Sequence, residues 1–233
     1  MAFEELFQKY DRLFLFDTET TGLDFPRDEI IEFAAVVVEK QDGVPVITEQ
    51  YDELISLTPG NTIPLKIQQL TGITNDDVQE KGIPKEQLCG DISRMVSGNT
   101  LLLAYNAHFD LSFLFYLLLR NGDPSILKGK DKLDLLTVYK DRRNYPHKLC
   151  NAIESYKLSG KVVNSHRAVD DVIATVEVMK EMEKEKDDLL CYVNLFGYHP
   201  TYGLGSKPIG SVTYKPQPTP AKQPLYEVKE TPW

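Results

Sequence analysis

Apolar positions fall in short blocks whose period changes along the chain, and each change predicts an element. Residues 13–16 (LFLF) are an apolar run that stops at Asp17, the pattern of a buried strand. Residues 30–38 (IIEFAAVVV) are rich in β-branched side chains and precede Asp42-Gly43, a turn signal. Residues 45–57 read as a third strand, so the chain opens as an antiparallel meander. Residues 64–70, 75–80 and 84–96 read as helices, with Asn75 as the cap of the second. Residues 100–105 (TLLLAY) predict a buried strand, and 108–120 predict an apolar helix ending near Asn121-Gly122. A strand over 131–138, a helix over 148–156 and a long helix over 167–186 follow. Strands in a row followed by strand–helix alternation imply an α/β fold, a mixed sheet flanked by helices.

Past residue 199 this periodicity is lost. Residues 200–233 hold seven of the fourteen prolines and a charge of +2, from four Lys and two Glu. They read as a Pro-rich C-terminal arm or tail, set apart from a domain over 1–199. Residues 209–214 (IGSVTY) alternate like a short strand, and tyrosines recur at 198, 202, 214 and 226. The pattern fits an extended arm lying on the domain and a free tail equally.

Composition narrows the class. The chain has 233 residues, 42% hydrophobic and 26% charged, enough to bury a core without disulfides. Its apolar stretch at 111–119 is far short of the ~20 residues of a membrane span. Charged residues begin at Glu4, unlike a signal peptide. Cys89, Cys150 and Cys191 form no CxxC pair and read as reduced thiols in a cytoplasmic protein. The net charge of −9 argues against a strong sequence-independent grip on duplex DNA. It leaves open a site of carboxylates that hold cations while the ligand is an anion. One segment runs the other way: 120–150 carries eight Lys or Arg against four Asp, either a solvated loop or a patch that contacts phosphates.

Three motifs carry candidate chemistry. The first is Asp17-Thr18-Glu19-Thr20-Thr21-Gly22-Leu23. Alternation in a strand turns Asp17 and Glu19 to one face, where two carboxylates repel unless a cation or proton lies between them. The second is Asn106-Ala107-His108-Phe109-Asp110, which puts Asp110 in a first helical turn, where the helix dipole favours an anion. The third is His166-Arg167-Ala168-Val169-Asp170-Asp171, a histidine just before a helix with an acid five residues on. Each alone fits a solvated strand end or a helix cap. Together they place four acids and a histidine at element ends, a hard donor set suited to Mg²⁺ or Mn²⁺. Glu32, inside an apolar strand, reads either as a buried partner of this site or as an edge position.

DTETTGL, NAHFD and HRAVDD resemble the three motifs of the DEDDh 3′–5′ exonuclease family, on the ribonuclease H-like fold. That family includes the proofreading epsilon subunit of bacterial DNA polymerase III and stand-alone relatives. The likeness spans about residues 10–185. It implies Asp17, Glu19, Asp110 and Asp171 as the four acids, with Asp171 rather than Asp170 at the motif spacing. It further implies two Mg²⁺ (or Mn²⁺) ions, with Asp17 bridging them, Glu19 and Asp171 completing one and Asp110 supporting the other. His166 would take the proton of the attacking water, since histidine exchanges protons near neutral pH. The implied activity is removal of nucleoside 5′-monophosphates from single-stranded 3′ ends, with DNA as the first reading and RNA as the alternative. Thr20, Thr21 and Gly22 would bring backbone to the last nucleotide, Leu23 would wedge against its base, and Phe109 would stack or pack. The competing classes are an RNA-trimming enzyme, a non-catalytic nucleic-acid-binding module, and a protein whose arm docks a polymerase or another partner.

Overall fold

A computed structural model describes residues 3–204 and 209–229. The elements run in the order α1 (Glu4–Lys9), β1 (Arg12–Thr20), β2 (Ile30–Gln41), β3 (Val44–Leu54), α2 (Leu65–Thr71), α3 (Asn75–Glu80), α4 (Lys85–Met95), β4 (Thr100–Ala104), α5 (Ala107–Asn121), β5 (Lys132–Asp134), α6 (Leu135–Arg142), α7 (Leu149–Ser155), α8 (Ala168–Glu185), β6 (Leu195–Tyr198) and β7 (Thr213–Pro216). The main sheet has the order β3-β2-β1-β4-β5. β1, β2 and β3 pair antiparallel, whereas β4 and β5 pair parallel, β4 against β1. The expected meander and mixed sheet are therefore present, with β1 at the centre.

A central strand needs apolar side chains on both faces, and β1 supplies them. Leu13 and Leu15 join one buried cluster with Val172, Val176 and Met179 of α8. Phe14 and Phe16 join the opposite cluster with Leu88 and Ile92 of α4 and Leu111 and Leu114 of α5. Phe14, Phe16 and Phe33 stack there with ring centroids 5.3–6.5 Å apart. Alternation along β1 then carries Asp17 and Glu19 onto the α8 face, just where the apolar run stops.

Some predicted boundaries move. The strand expected over 131–138 is only Lys132–Asp134, and Leu135–Arg142 is helical. Asp134 decides this: its carboxylate accepts from the amides of Leu136 at 3.2 Å and Thr137 at 3.1 Å, capping α6. Thr74, not Asn75, caps α3, because its hydroxyl accepts from the Asp77 amide. Asn75 instead accepts from the Ile63 amide at 2.7 Å. The short helix α1, which the sequence pattern did not mark, buries Phe3 and Leu6 under α8 and the segment after it. The strand expected over 209–214 is displaced to β7, which pairs in parallel with β6. Residues 205–208 and 230–233 of the expected arm lie outside the described residues.

The basic stretch of 120–150 is partly drawn into the fold. Lys132 is buried, with its ammonium donating to the Lys130 carbonyl at 2.8 Å and the Ser211 hydroxyl at 2.9 Å. Arg142, half-buried as a residue, pairs with Asp188 at 2.5 Å. These two cations serve packing rather than a phosphate surface.

Candidate active site

The first motif ends β1. Asp17 lies opposite Ala34 and Glu19 opposite Glu32 across the β1–β2 ladder. The second motif enters from α5, whose first turn holds Asp110, 1% exposed. One oxygen of Asp110 accepts from the Thr18 amide at 3.0 Å and the Thr18 hydroxyl at 2.8 Å. The acid of one motif is thus bonded to the residue between the two acids of the other. The start of α5 is itself held by Asp134, which accepts from the amides of Asn106 and Ala107 at 3.0 Å.

The third motif arrives with α8. Asp171 sits in its first turn, buried, and accepts from the Asn164 amide group at 2.7 Å. His166 precedes the helix, exposed, with a left-handed φ of 57°. Asp170 turns to the Ser165 hydroxyl at 2.5 Å. Glu32, fully buried, accepts from Arg167 Nε at 2.7 Å and from the Ala168 amide at 2.7 Å. Of the two readings open for Glu32, the structure selects the buried partner: the carboxylate pins the start of α8 to β2.

Glu19, His166 and Asp171 each offer one ligand atom, and these three atoms lie within 4.8 Å of one another. Asp17 and Asp110 stand outside that group of three but share its field. Burial, then the charges of Asp110, Asp171 and Glu19, push the Asp17 carboxyl well above the carboxylate range. Glu19 is pushed up to about 8 by burial and then by Asp171, Glu32 and Asp110, with Arg167 opposing. Burial lifts Asp110 to about 7 against the Thr18 hydrogen bonds, and lifts Asp171 to about 6 against Asn164 and His166. Acids that hold protons near neutrality for want of positive charge are what a divalent cation discharges. The donor set of four carboxylates and one imidazole fits such an ion.

The predicted substrate contacts divide. Thr20 and Thr21 are buried, and the Thr21 amide is taken by the Glu29 carbonyl at 2.9 Å. At Gly22 a Cβ would meet the Asp28 carboxylate, so the turn packs closely there. Asp28 in turn accepts from the Asp24 amide at 2.7 Å, which closes the turn after β1. Leu23 at its tip is 79% exposed. Phe109 is half-buried and packs on Phe113 at 4.9 Å and Phe25 at 5.8 Å. Sequence reasoning did not single out Asp134, Asn164, Arg167 or Asp28 as supports of the site. For Asp134 a signal existed, an acid immediately before the apolar run LLTV.

The sequence profile of the RNase_T exonuclease family matches residues 14–179, a span that contains all three motifs. This chain belongs to that exonuclease family. Among its relatives are the DNA polymerase III PolC-type of Clostridium perfringens, 32% identical over 77% of this chain and 12% of that protein, and the 3′-5′ exonuclease DinG of Bacillus subtilis, 38% identical over 64% of this chain and 14% of that protein. The chain thus spans about an eighth of the length of those two relatives. The DNA polymerase III subunit epsilon of Treponema pallidum is 32% identical over 72% of this chain and 74% of its own. Among solved structures, E. coli Exonuclease I in complex with a dA16 oligonucleotide superposes with a TM-score of 0.68 at 22% identity, covering 78% of this chain and 42% of that one. That superposition shows the shared fold of this exonuclease module. Among the described residues no helix is long and apolar enough to cross a membrane.

Proposed function

We propose that this chain is a metal-dependent 3′–5′ exonuclease acting on single-stranded ends, DNA by preference, and releasing nucleoside 5′-monophosphates. The observation that carries it is the convergence of three motifs, distant in sequence, on one cluster at the end of β1. Family membership supports the reaction class. DNA is favoured because the similar proteins are named for DNA polymerase III and the superposed structure holds a DNA oligonucleotide.

Asp17, Glu19, Asp110 and Asp171 would hold two divalent ions, Mg²⁺ or Mn²⁺. Such ions, when bound, neutralise the phosphodiester and ease ionisation of water. His166 accepts the proton of the attacking water at a ring nitrogen, a role its exposure and its place beside Glu19 and Asp171 permit. Glu32 and Arg167 orient His166 and Asp171 by fixing the start of α8. Leu23, exposed at its turn, and Phe109 offer apolar surface to the terminal base, which implies little sequence preference.

The test uses purified protein with Mg²⁺ and matched 5′-labelled single-stranded DNA and RNA. Wild type should shorten the DNA from its 3′ end faster than the RNA, and Asp17→Asn or a chelator should abolish this. Faster RNA trimming would reassign the substrate. No shortening of either strand, with Mg²⁺ or Mn²⁺, would sink the reading of the isolated chain as an active exonuclease and leave a nucleic-acid-binding module or an enzyme that needs a partner.

A further inference from the structure

We propose that the loop over residues 143–148 is a second contact for the single strand, with Tyr145 stacking on a base upstream of the scissile bond and Lys148 meeting a phosphate. This rests on the exonuclease reading above and extends its substrate site past the terminal nucleotide. Within the basic stretch of 120–150, Lys132 and Arg142 are engaged inside the protein, but this loop faces water. Tyr145 is 79% exposed, and Asn144, Pro146 and Lys148 beside it are exposed as well. A single exposed ring is ordinary on a protein surface. What sets Tyr145 apart is how its loop is held and where the loop lies.

The loop is braced from inside. His147 is buried, and its Nε2 donates to the Arg143 carbonyl at 2.9 Å, which closes the loop on itself. The His147 ring meets Tyr139 and Tyr145 edge to face, each at 5.8 Å. Arg143 donates to the Ser155 hydroxyl and to Glu185, each at 2.8 Å, and its guanidinium lies over the Tyr156 ring. The entrance to the loop is thereby fixed to α7 and α8. At its exit the Lys148 amide donates to Asn151 Oδ1 at 3.1 Å. A ring presented on a braced loop costs less ordering when a ligand binds it.

The loop also lies beside the acids. β1 and β4 run parallel with Leu15 opposite Leu103, so Tyr105, two residues on, leaves β4 level with Asp17. Tyr105 is buried on the α8 face of the sheet, the face that carries Asp17 and Glu19. Its hydroxyl donates to the His147 carbonyl at 2.8 Å. One tyrosine therefore spans from the strand position beside Asp17 to the loop. The terminal base was assigned to Leu23 and Phe109, and Phe109 packs on the cluster of the opposite face. A strand with its last base there and its scissile phosphate at the acids continues, toward its 5′ end, onto the α8 side where the loop stands. His147 and the loop backbone come between Tyr105 and the Tyr145 ring, so the stacked base lies beyond the first one 5′ of the cut. Arg143 is neutralised by Glu185, which leaves exposed Lys148 as the cation next to that ring.

With Mg²⁺ and a 5′-labelled single-stranded DNA of about twelve nucleotides, Tyr145→Ala should raise KM about tenfold, the size of one lost base stack, and leave kcat little changed. Tyr145→Phe keeps the ring and should keep the wild-type KM. On a dinucleotide, too short to reach the loop, Tyr145→Ala should match wild type. Lys148→Ala should weaken binding of the longer strand and lower the slope of log affinity against log salt by about 0.7, the share of one phosphate contact. A further readout needs no activity. The chain's single tryptophan is Trp233, so Tyr145→Trp places a reporter on the loop and keeps a ring against His147. With Ca²⁺ in place of Mg²⁺, its fluorescence should be quenched by the longer strand, beyond any change in wild type, and not by the dinucleotide. A wild-type KM for Tyr145→Ala on the longer strand would overturn the proposal, as would an equal rise on the dinucleotide, a fall in kcat at constant KM, or an unquenched Tyr145→Trp. If Tyr145→Ala does not fold, Tyr145→Trp and Lys148→Ala decide the matter by binding. If wild type itself shortens no strand, the exonuclease reading of the isolated chain fails, and the quenching still decides whether a single strand lies on the loop.

Discussion

Asp17, Glu19, Asp110 and Asp171 are each unexceptional as residues; burial together makes them chemically unusual. Glu19 held near 8, Asp110 near 7 and Asp171 near 6 all lie above their unfolded values of ~4. The folded, metal-free protein therefore binds more protons than the unfolded chain between pH ~4 and ~8, and its stability must fall as pH rises through that window. Thermal unfolding in chelator should show Tm dropping from pH 5 to pH 8. Added Mg²⁺ should recover more at pH 8 than at pH 5, because it binds only the ionised site. A flat Tm profile would mean that the acids do not share a field. Asp17→Asn separates function from stability: kcat should fall by ~10³-fold or more, while metal-free Tm at pH 8 rises because one buried acid is gone. Steady-state kinetics and a melting curve on the same preparation check both halves. The five motif residues could be named from the sequence as candidates, since their types and spacings suggest hard-cation chemistry, and the fold brings Glu19, His166 and Asp171 within 4.8 Å of one another. The elevated proton affinities were not legible, because they arise first from burial in the folded protein and then from acids brought together from more than ninety residues apart.

At the scale of elements, the site depends on how α8 and α5 are docked. Glu32 is the joint for α8, accepting from Arg167 and from the Ala168 amide with no exposure to water. Glu32→Ala would strand a buried amide and release the Arg167 guanidinium, at a cost of ~3 kcal/mol in stability. Activity should fall at least tenfold through displaced His166 and Asp171, measured as kcat with Mg²⁺ at saturation. Retention of wild-type kcat would show that α8 is held elsewhere. Asp134 is the joint for α5 and caps α6 as well, so one carboxylate serves Asn106, Ala107, Leu136 and Thr137. This double duty explains the misread strand over 131–138. LLTV is apolar and β-compatible, and only an acid with four amides converging on it makes the helix the better solution. Most other elements were legible because their periodicity is strong, as in the apolar run before Asp17 and the long amphipathic α8. The helix α1 was not, since its apolar Phe3, Leu6 and Phe7 have meaning only once α8 is there to receive them.

Over the whole molecule, a net charge of −9 opposes a polyanion, and several of the basic residues are engaged within the protein. Lys132 is buried, Arg142 is paired with Asp188, Lys85 is spent on Glu29 together with Thr58 and Asn61, and Arg94 is paired with Glu49. Affinity for duplex DNA should accordingly be weak and steeply dependent on divalent cation. Fluorescence anisotropy with Ca²⁺ in place of Mg²⁺ should show single strands binding at least tenfold more tightly than blunt duplex of equal length. Equal affinities would point to a basic duplex-binding face elsewhere on the protein.

The linear order of residues was enough to specify the β1 run that ends in acids, the three motifs, the mixed sheet and the class of chemistry, because these rest on local alternation, spacing and donor type. The three-dimensional fold alone decided which residues support the motifs. Glu32 becomes a clamp rather than an edge acid because β2 brings it under α8. Asp28 folds back over Gly22, where a Cβ would meet its carboxylate. Tyr214 acquires a partner in His108 across more than a hundred residues of chain. Such contacts pair groups whose meeting depends on every element between them, and no local pattern encodes a meeting of that kind.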